Sequence, residues 1–240
     1  MKNPFYDLPI PNEGTLHRLD SERDACGVGF VANVHGRASR DILDMALCGV
    51  CNVQHRGAVD ADRVTGDGAG VLVQLPHKVL MPVVEEMGHT LDHPQDLAVG
   101  VFFLPRDKKK RLEIHLVAEG ILRNRKVKVL GWRDVPTNPN ELGEKARRTM
   151  PCIQHLFVER PAEMTDDRFE RLLYLVRREL RLKAREQDLA PFYLASFSHR
   201  TMVYKALLLP TSLEKFYKDL QQDEFETAMA LFHQRFSTNT

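Results

Sequence analysis

Cysteine is scarce, with four in 240 residues. That is too few to staple a chain of this length into a disulfide framework, and it fits a reducing compartment in which thiols stay free. Long apolar runs are missing as well. The best of them, such as residues 97–104, fall far short of the roughly 20 apolar residues that a helix needs to cross a bilayer. No apolar signal core stands at the N-terminus, and Asp7, Glu13, Asp20, Glu22 and Asp24 do not fit an acid-poor transit peptide. A cytoplasmic location without a membrane partner is expected. An excess of charge of one sign is also absent: Lys+Arg 34 against Asp+Glu 33 leaves +1, so no global field draws in nucleic acid. There is no internal repeat and no low-complexity tract. What is present, 43% hydrophobic and 28% charged residues, is enough to bury a core in one large domain or two small ones.

Residues 1–25 carry Pro4, Pro9 and Pro11 and many charges without a period of 2 or 3.6, and read as an irregular leader. From Val28 the chain alternates, with Val28, Phe30, Ala32 and Val34 on one face of a half-buried strand that ends at Gly36. A helix follows, capped by Ser39 or Asp41, with Ile42, Met45, Ala46, Gly49, Val50 and Val53 at helical spacing. A Gly-rich turn, residues 65–70, feeds a strand over residues 71–75. The pattern further predicts strands over 97–104 and 126–132 and helices over 107–122 and 166–186. The last of these has an acidic first turn after Thr165. Residues 192–197 and 202–209 flank Ser198-His199-Arg200 as a hairpin, a short helix spans 212–220, and a last strand runs over 228–236. Helices and strands alternate irregularly, which favours an α+β fold with antiparallel sheet over a doubly wound parallel one.

Several constellations invite a functional reading. Gly66-Asp67-Gly68-Ala69-Gly70 follows no strand and leads into a strand instead of a helix, so there is no helix N-terminus for a phosphate to meet. Asp60, Asp62 and Asp67 suggest calcium, but Arg63 and Val64 fall where oxygen ligands belong and no bidentate Glu follows; a tight turn is expected. Cys48 and Cys51 form a CxxC with His55 four residues on, which suits zinc or a redox pair. A structural zinc needs four ligands, however, and the pair lies inside a helix, where small buried cysteines are common. Cys26 stands where the leader meets the first strand, next to Gly27. Cleavage between Ala25 and Cys26 would free an α-amino group, of pKa about 7.7–8.0, to serve as base for its own thiol. On the last strand, period 2 puts His233 and Arg235 on one face and Phe232, Gln234 and Phe236 on the other.

Cys26-Gly-Val-Gly-Phe30, Gln54-His-Arg-Gly-Ala58, Thr65-Gly-Asp-Gly-Ala-Gly70, Ser198-His-Arg-Thr-Met-Val-Tyr-Lys205 and His233-Gln-Arg-Phe-Ser-Thr-Asn-Thr240 occur in this order. Together they closely resemble the class II glutamine amidotransferase domain that opens the large subunit of glutamate synthases. The resemblance implies an N-terminal-nucleophile hydrolase fold, a four-layer αββα sandwich with antiparallel sheets, over residues 26–240, with residues 1–25 as a propeptide. It implies Cys26 as the catalytic nucleophile toward glutamine, Arg235 and Thr238 as substrate-binding residues, and Arg56 and Gly57 as supports behind the nucleophile, with no metal ligand. For the full-length family it further implies FMN, an iron–sulfur cluster and electrons from NAD(P)H or ferredoxin. Its partners are the remaining domains of the same polypeptide and an electron-donating small subunit or ferredoxin. The family's oxyanion-hole Asn-Gly pair and the Asp that holds the substrate amino group fall beyond Thr240, so the domain is expected to be truncated at its C-terminus. The 240 residues alone are expected to be inactive, with the Arg235 strand left without neighbours. The competing reading is a non-catalytic metal-binding or redox module on Cys48, Cys51 and His55.

Overall fold

A computed structural model describes residues 27–235. The chain runs β1 (Gly27–Ala32), α1 (Arg40–Asn52), β2 (Ala69–Gln74), α2 (His77–Glu86), β3 (Leu97–Leu104), α3 (Lys108–Asn124) and β4 (Lys128–Asp134). It continues through α4 (Glu144–Thr149), β5 (Cys152–Glu159), α5 (Asp166–Glu186), β6 (Tyr193–Ser198), β7 (Thr201–Ala206), α6 (Leu213–Phe216) and β8 (Met229–Gln234). The strands form two four-stranded sheets, ordered β1-β8-β2-β7 and β4-β5-β3-β6, and every pairing is antiparallel. This is the α+β architecture expected from the sequence.

The helices form where caps and apolar stripes agree. Asp107 caps α3 by accepting the N–H groups of Lys109 and Lys110, and those bonds hold its carboxyl below the usual carboxylate range. Helix α5 opens on Asp166 and Asp167 and buries Phe169, Leu173, Val176 and Leu180, one stripe at helical spacing. With Ile114, Ala118, Ile121 and Leu122 of α3 it closes a core over the outer face of the second sheet. A second core joins α1, α2, the buried face of the first sheet and the inner face of the second. Two strands from different sheets are tied together inside it: Arg133 of β4 makes a bidentate ion pair with the fully buried Asp219, at 3.0 and 2.8 Å, and the Tyr204 hydroxyl of β7 donates to the same carboxylate at 3.1 Å.

Four expectations are corrected. In β1 the face carrying Val28 and Phe30 is the open one, with those side chains 55% and 75% exposed. The Gly29 side turns inward because the Phe232 ring fills the space against Gly29 and against Gly49 of α1, and the strand ends at Ala32. Strands β6 and β7 are not a hairpin, since β6 pairs with β3 and β7 with β2. The chain turns a corner from one sheet to the other there, held by the Ser198 hydroxyl, which accepts from the N–H groups of Arg200 and Thr201 at 2.9 and 3.2 Å. The helix expected over 212–220 is broken into α6 and flanking 3-10 turns, Pro210–Ser212 and Lys218–Gln221. Strand β8 is not without neighbours: it lies between β1 and β2, and its Phe232 is buried. Among the described residues no helix is long and apolar enough to cross a membrane.

Candidate active site

Strand pairing sets the position of the site. In the β1–β8 ladder Gly27 lies opposite Gln234, so the residue that follows Cys26 in the chain faces the one that precedes Arg235. Cys26 and Thr238 themselves fall outside the described residues, of which Arg235 is the last.

Behind this pairing stands the 3-10 turn Gln54–Arg56 that continues α1, followed by Gly57. A Cβ on Gly27 would lie 3.0 Å from the Gln234 Cβ and 3.2 Å from the Arg56 Cβ. A Cβ on Gly57 would collide with Nε2 of Gln234 and stand 2.9 Å from its Cδ. Segments distant in sequence are thus stacked because two of the contacting residues have no side chain. Gln234 is buried there, and its Oε1 has no hydrogen-bond partner among the described residues. Asp67 ties the turn to the strand end: its carboxylate accepts the Ala58 N–H at 2.8 Å and stands 3.8 Å from the Arg235 Nε.

Arg235 adopts φ +83, a left-handed conformation that non-glycine residues seldom take. Its N–H donates to the Gly68 carbonyl at 2.6 Å. The alternation that grouped Arg235 with His233 therefore ends at Gln234, the last residue of β8; a turn sets the direction of Arg235, and its side chain is half-exposed. His233 lies on the open face of the first sheet, and burial and then the neighbouring Lys205 hold its pKa below the ordinary histidine value. Arg56 and Gly57 are brought to the start of β1, beside Gly27 and Gln234. The parts played by Gln234 and Asp67 were missed, although both stand inside the quoted motifs.

The remaining candidates resolve differently. Asp62 accepts the N–H groups of Val64 and Thr65 and the Thr65 hydroxyl, and Asp60 pairs with Lys145 at 2.9 Å, so these carboxylates build the expected turn. Cys48 and Cys51 do lie in α1, but they are not core residues: Cys48 is exposed and Cys51 half-buried. Burial, then Cys48 and Glu214, raise the Cys51 thiol pKa. His55 is exposed on the following turn. Among the described residues no group of three or more His, Cys, Asp or Glu side chains could hold a metal ion, which leaves the metal-module reading without a ligand set.

The sequence pattern of the glutamine amidotransferases class-II matches residues 26–240. The chain belongs to the class-II glutamine amidotransferases. The match begins at Cys26 and ends at the last residue of the sequence, and with it comes the N-terminal-nucleophile hydrolase fold that the two antiparallel sheets and their helices express. Among curated proteins, this amidotransferase chain is 39% identical over 228 residues to "Glutamate synthase [NADPH] large chain" of Azospirillum brasilense. It is 38% identical over 237 residues to "Ferredoxin-dependent glutamate synthase 2, chloroplastic" of Arabidopsis thaliana, and 36% identical over 232 residues to "Glutamate synthase [NADPH] large chain" of Bacillus subtilis (strain 168). These alignments cover 92%, 98% and 96% of the chain but only 15%, 14% and 15% of the relatives, so the chain spans about one-seventh of their length.

Proposed function

We propose that the chain is the glutamine-hydrolysing portion of a glutamate synthase large subunit, working in the cytoplasm. The observation that carries the reading is the family match starting at Cys26. The pairing of Gly27 with Gln234, which sets the start of β1 beside the residue before Arg235, supports it. Removal of residues 1–25 would make Cys26 the N-terminus, and its α-amino group, with a pKa of about 7.7–8.0, takes the proton of its own thiol. The thiolate attacks the side-chain amide carbon of glutamine. The tetrahedral oxyanion collapses with loss of ammonia, which carries the proton away, and leaves a γ-glutamyl thioester. Water then hydrolyses the thioester to glutamate and regenerates the thiol. Arg235 holds the substrate α-carboxylate by a bidentate charge-assisted pair, Thr238 completes that turn, and Arg56 and Gly57 pack behind the nucleophile.

The ammonia passes to the remaining domains of the same polypeptide and meets 2-oxoglutarate. FMN and an iron–sulfur cluster would supply the electrons that reduce the product there. Their donor is NADPH, NADH or ferredoxin, with an electron-donating small subunit or ferredoxin as the partner. The groups that hold these cofactors are assigned to other parts of the polypeptide.

The test is mass spectrometry of the intact protein together with a glutaminase assay. The mature chain should begin at Cys26, and Cys26→Ser and Cys26→Ala should each lower turnover by about 10³-fold or more. Glutamine hydrolysis by a protein that still begins at Met1, or activity surviving Cys26→Ala, would defeat the proposal.

A further inference from the structure

We propose that Cys48 and Cys51 are a dithiol that a small disulfide oxidises reversibly to an intrahelical disulfide, and that this oxidation loosens the turn packed behind the start of β1. The two cysteines stand three residues apart on α1 and so share one side of the helix. Both line one cavity of about 370 Å3, which Asp44 and Glu214 also line. That volume admits a small reagent. The two carboxylates are already engaged, since Arg40 pairs with Asp44 at 2.7 Å and with Glu214 at 2.8 Å. Cys48 is exposed and Cys51 half-buried; the Cys48 sulfur receives only a long contact, 3.6 Å, from the Asn52 amide. Access therefore divides the roles. Cys48 gives up its proton and attacks the small disulfide, releasing one thiolate that takes up a proton. Cys51, whose pKa burial raises, then gives up its proton, attacks the Cys48 sulfur of the mixed disulfide and releases the second thiol. One protein dithiol and one small disulfide become one protein disulfide and two small thiols, and excess thiol reverses the exchange. In a reducing compartment such a bond is transient, which suits a switch and not a staple.

The helix has to yield when the bond forms. Side chains three apart on a regular helix hold their Cβ atoms about 5–6 Å apart, whereas a disulfide requires about 3.5–4.5 Å. Winding the turn from α toward 3-10 eclipses residues i and i+3 and closes that gap. Cys51 lies in the last turn of α1, where the α-helical bonds are already giving way. The Val53 N–H reaches the Gly49 carbonyl at 3.3 Å, and Gln54–Arg56 is itself a 3-10 turn, closed by the Gly57 N–H on the Gln54 carbonyl at 3.1 Å. The residues between the cysteines have no slack. Val50 is fully buried, and Gly49 stands so close to the Phe232 ring that a Cβ there would lie 2.7 Å from it. The Gln54–Arg56 turn has no buried residue, so it is the part that gives. Gly57 at its end abuts Gln234, and through that contact the oxidation reaches the end of β8.

The switch does not depend on the glutaminase reading, and its test reads no turnover. The intact protein is treated with 2-hydroxyethyl disulfide, an uncharged reagent, blocked with iodoacetamide and mapped by mass spectrometry. Amide hydrogen exchange is followed by NMR in the treated and untreated protein. Cys48 and Cys51 should be recovered joined to each other, dithiothreitol should free both, and exchange at Val53 and Gly57 should be at least about tenfold faster in the oxidised protein. Cys51→Ala should instead keep the reagent on Cys48 as a mixed disulfide, with exchange at Gly57 unchanged by the treatment. A mixed disulfide that persists on Cys48 while Cys51 is present, a link to Cys26 or Cys152, or no reaction of either cysteine would overturn the proposal. So would a Cys48–Cys51 bond that leaves exchange at Val53 and Gly57 as it was, because the turn would then not be what yields.

Discussion

The contact between Gly57 and Gln234 makes a prediction whose sign reverses with background. Gly57 has φ −106 and ψ 159, extended backbone that alanine adopts without strain. Judged on the backbone alone, Gly57→Ala should stabilise by about 0.4–1 kcal/mol, because the unfolded chain loses freedom. The packing says otherwise. The new methyl would collide with Nε2 of Gln234 and sit 2.9 Å from its Cδ, and the carboxamide has little room to retreat, since the side chain is buried and its stem lies against Gly27. Overpacking of this kind costs about 1–3 kcal/mol, so the single variant should be destabilised. In Gln234→Ala the obstacle is gone, and Gly57→Ala should then be neutral or stabilising by the backbone amount. The backbone gain is common to both backgrounds and cancels, so the expected coupling is the overpacking cost, roughly 1–3 kcal/mol, read from a four-protein cycle of chemical denaturation of the intact protein. If Gly57→Ala has the same sign and size in both backgrounds, the two residues are not packed as described and the stacking behind the start of β1 is wrong.

Asp219→Asn should destabilise by about 3–5 kcal/mol, because it leaves the largely buried Arg133 guanidinium without its counter-charge; a loss under about 1 kcal/mol in denaturation would refute that. His155 is wholly buried, neither ring nitrogen has a hydrogen-bond partner among the described residues, and desolvation, helped by Arg133, pushes its pKa down to about 3. Its native pKa lies below the unfolded value of about 6.5, so this contribution is full above pH 6.5 and falls by roughly 1–1.5 kcal/mol per pH unit as the pH drops from there toward 3. His155→Leu should flatten that acid limb of the stability–pH curve, and an unchanged limb would show that the ring is not held neutral.

How far the sequence could be read depended on whether an element announces itself locally. Strand β3, buried on both faces, and helix α5, with its acid-opened amphipathic stripe, coincide with the expected residues 97–104 and 166–186. Strand β5 did not announce itself, because the buried Gln154 and His155 interrupt its apolar run. Helix α2 was hidden by Pro82 within it and by the absence of a side-chain cap. The corner between β6 and β7 was read as a hairpin because two residues between strands look alike whether the strands pair or part; only the Ser198 bonds and the partners β3 and β2 decide it. The exposed CxxC is a different case, since the stripe of Ile42, Ala46 and Val50 already turned Cys48 and Cys51 away from the core, and only the general tendency of cysteines to be buried pointed the other way. Of the site, the residue types were legible in the motifs. Their contacts were not, because Gln234 meets Gly57 only once β8 has taken its place between β1 and β2.

That register also explains how a strained residue can end the strand. A residue held at an unfavourable φ costs of order 1–3 kcal/mol and persists only where its surroundings over-determine it. Strand β8 is paired on both sides up to Gln234, so Arg235 inherits a fixed starting point. Its N–H is then captured by the Gly68 carbonyl, and Gly68 is itself at φ +116, a conformation that suits glycine far better than any residue with a side chain. Asp67 fixes the same turn from the other side through Ala58. The direction of the guanidinium is therefore a property of the Gly66–Asp67–Gly68 turn as much as of β8. This gives the Thr65-Gly-Asp-Gly-Ala-Gly70 motif a physical task unrelated to phosphate binding: it turns Arg235 out of the strand period immediately after β8.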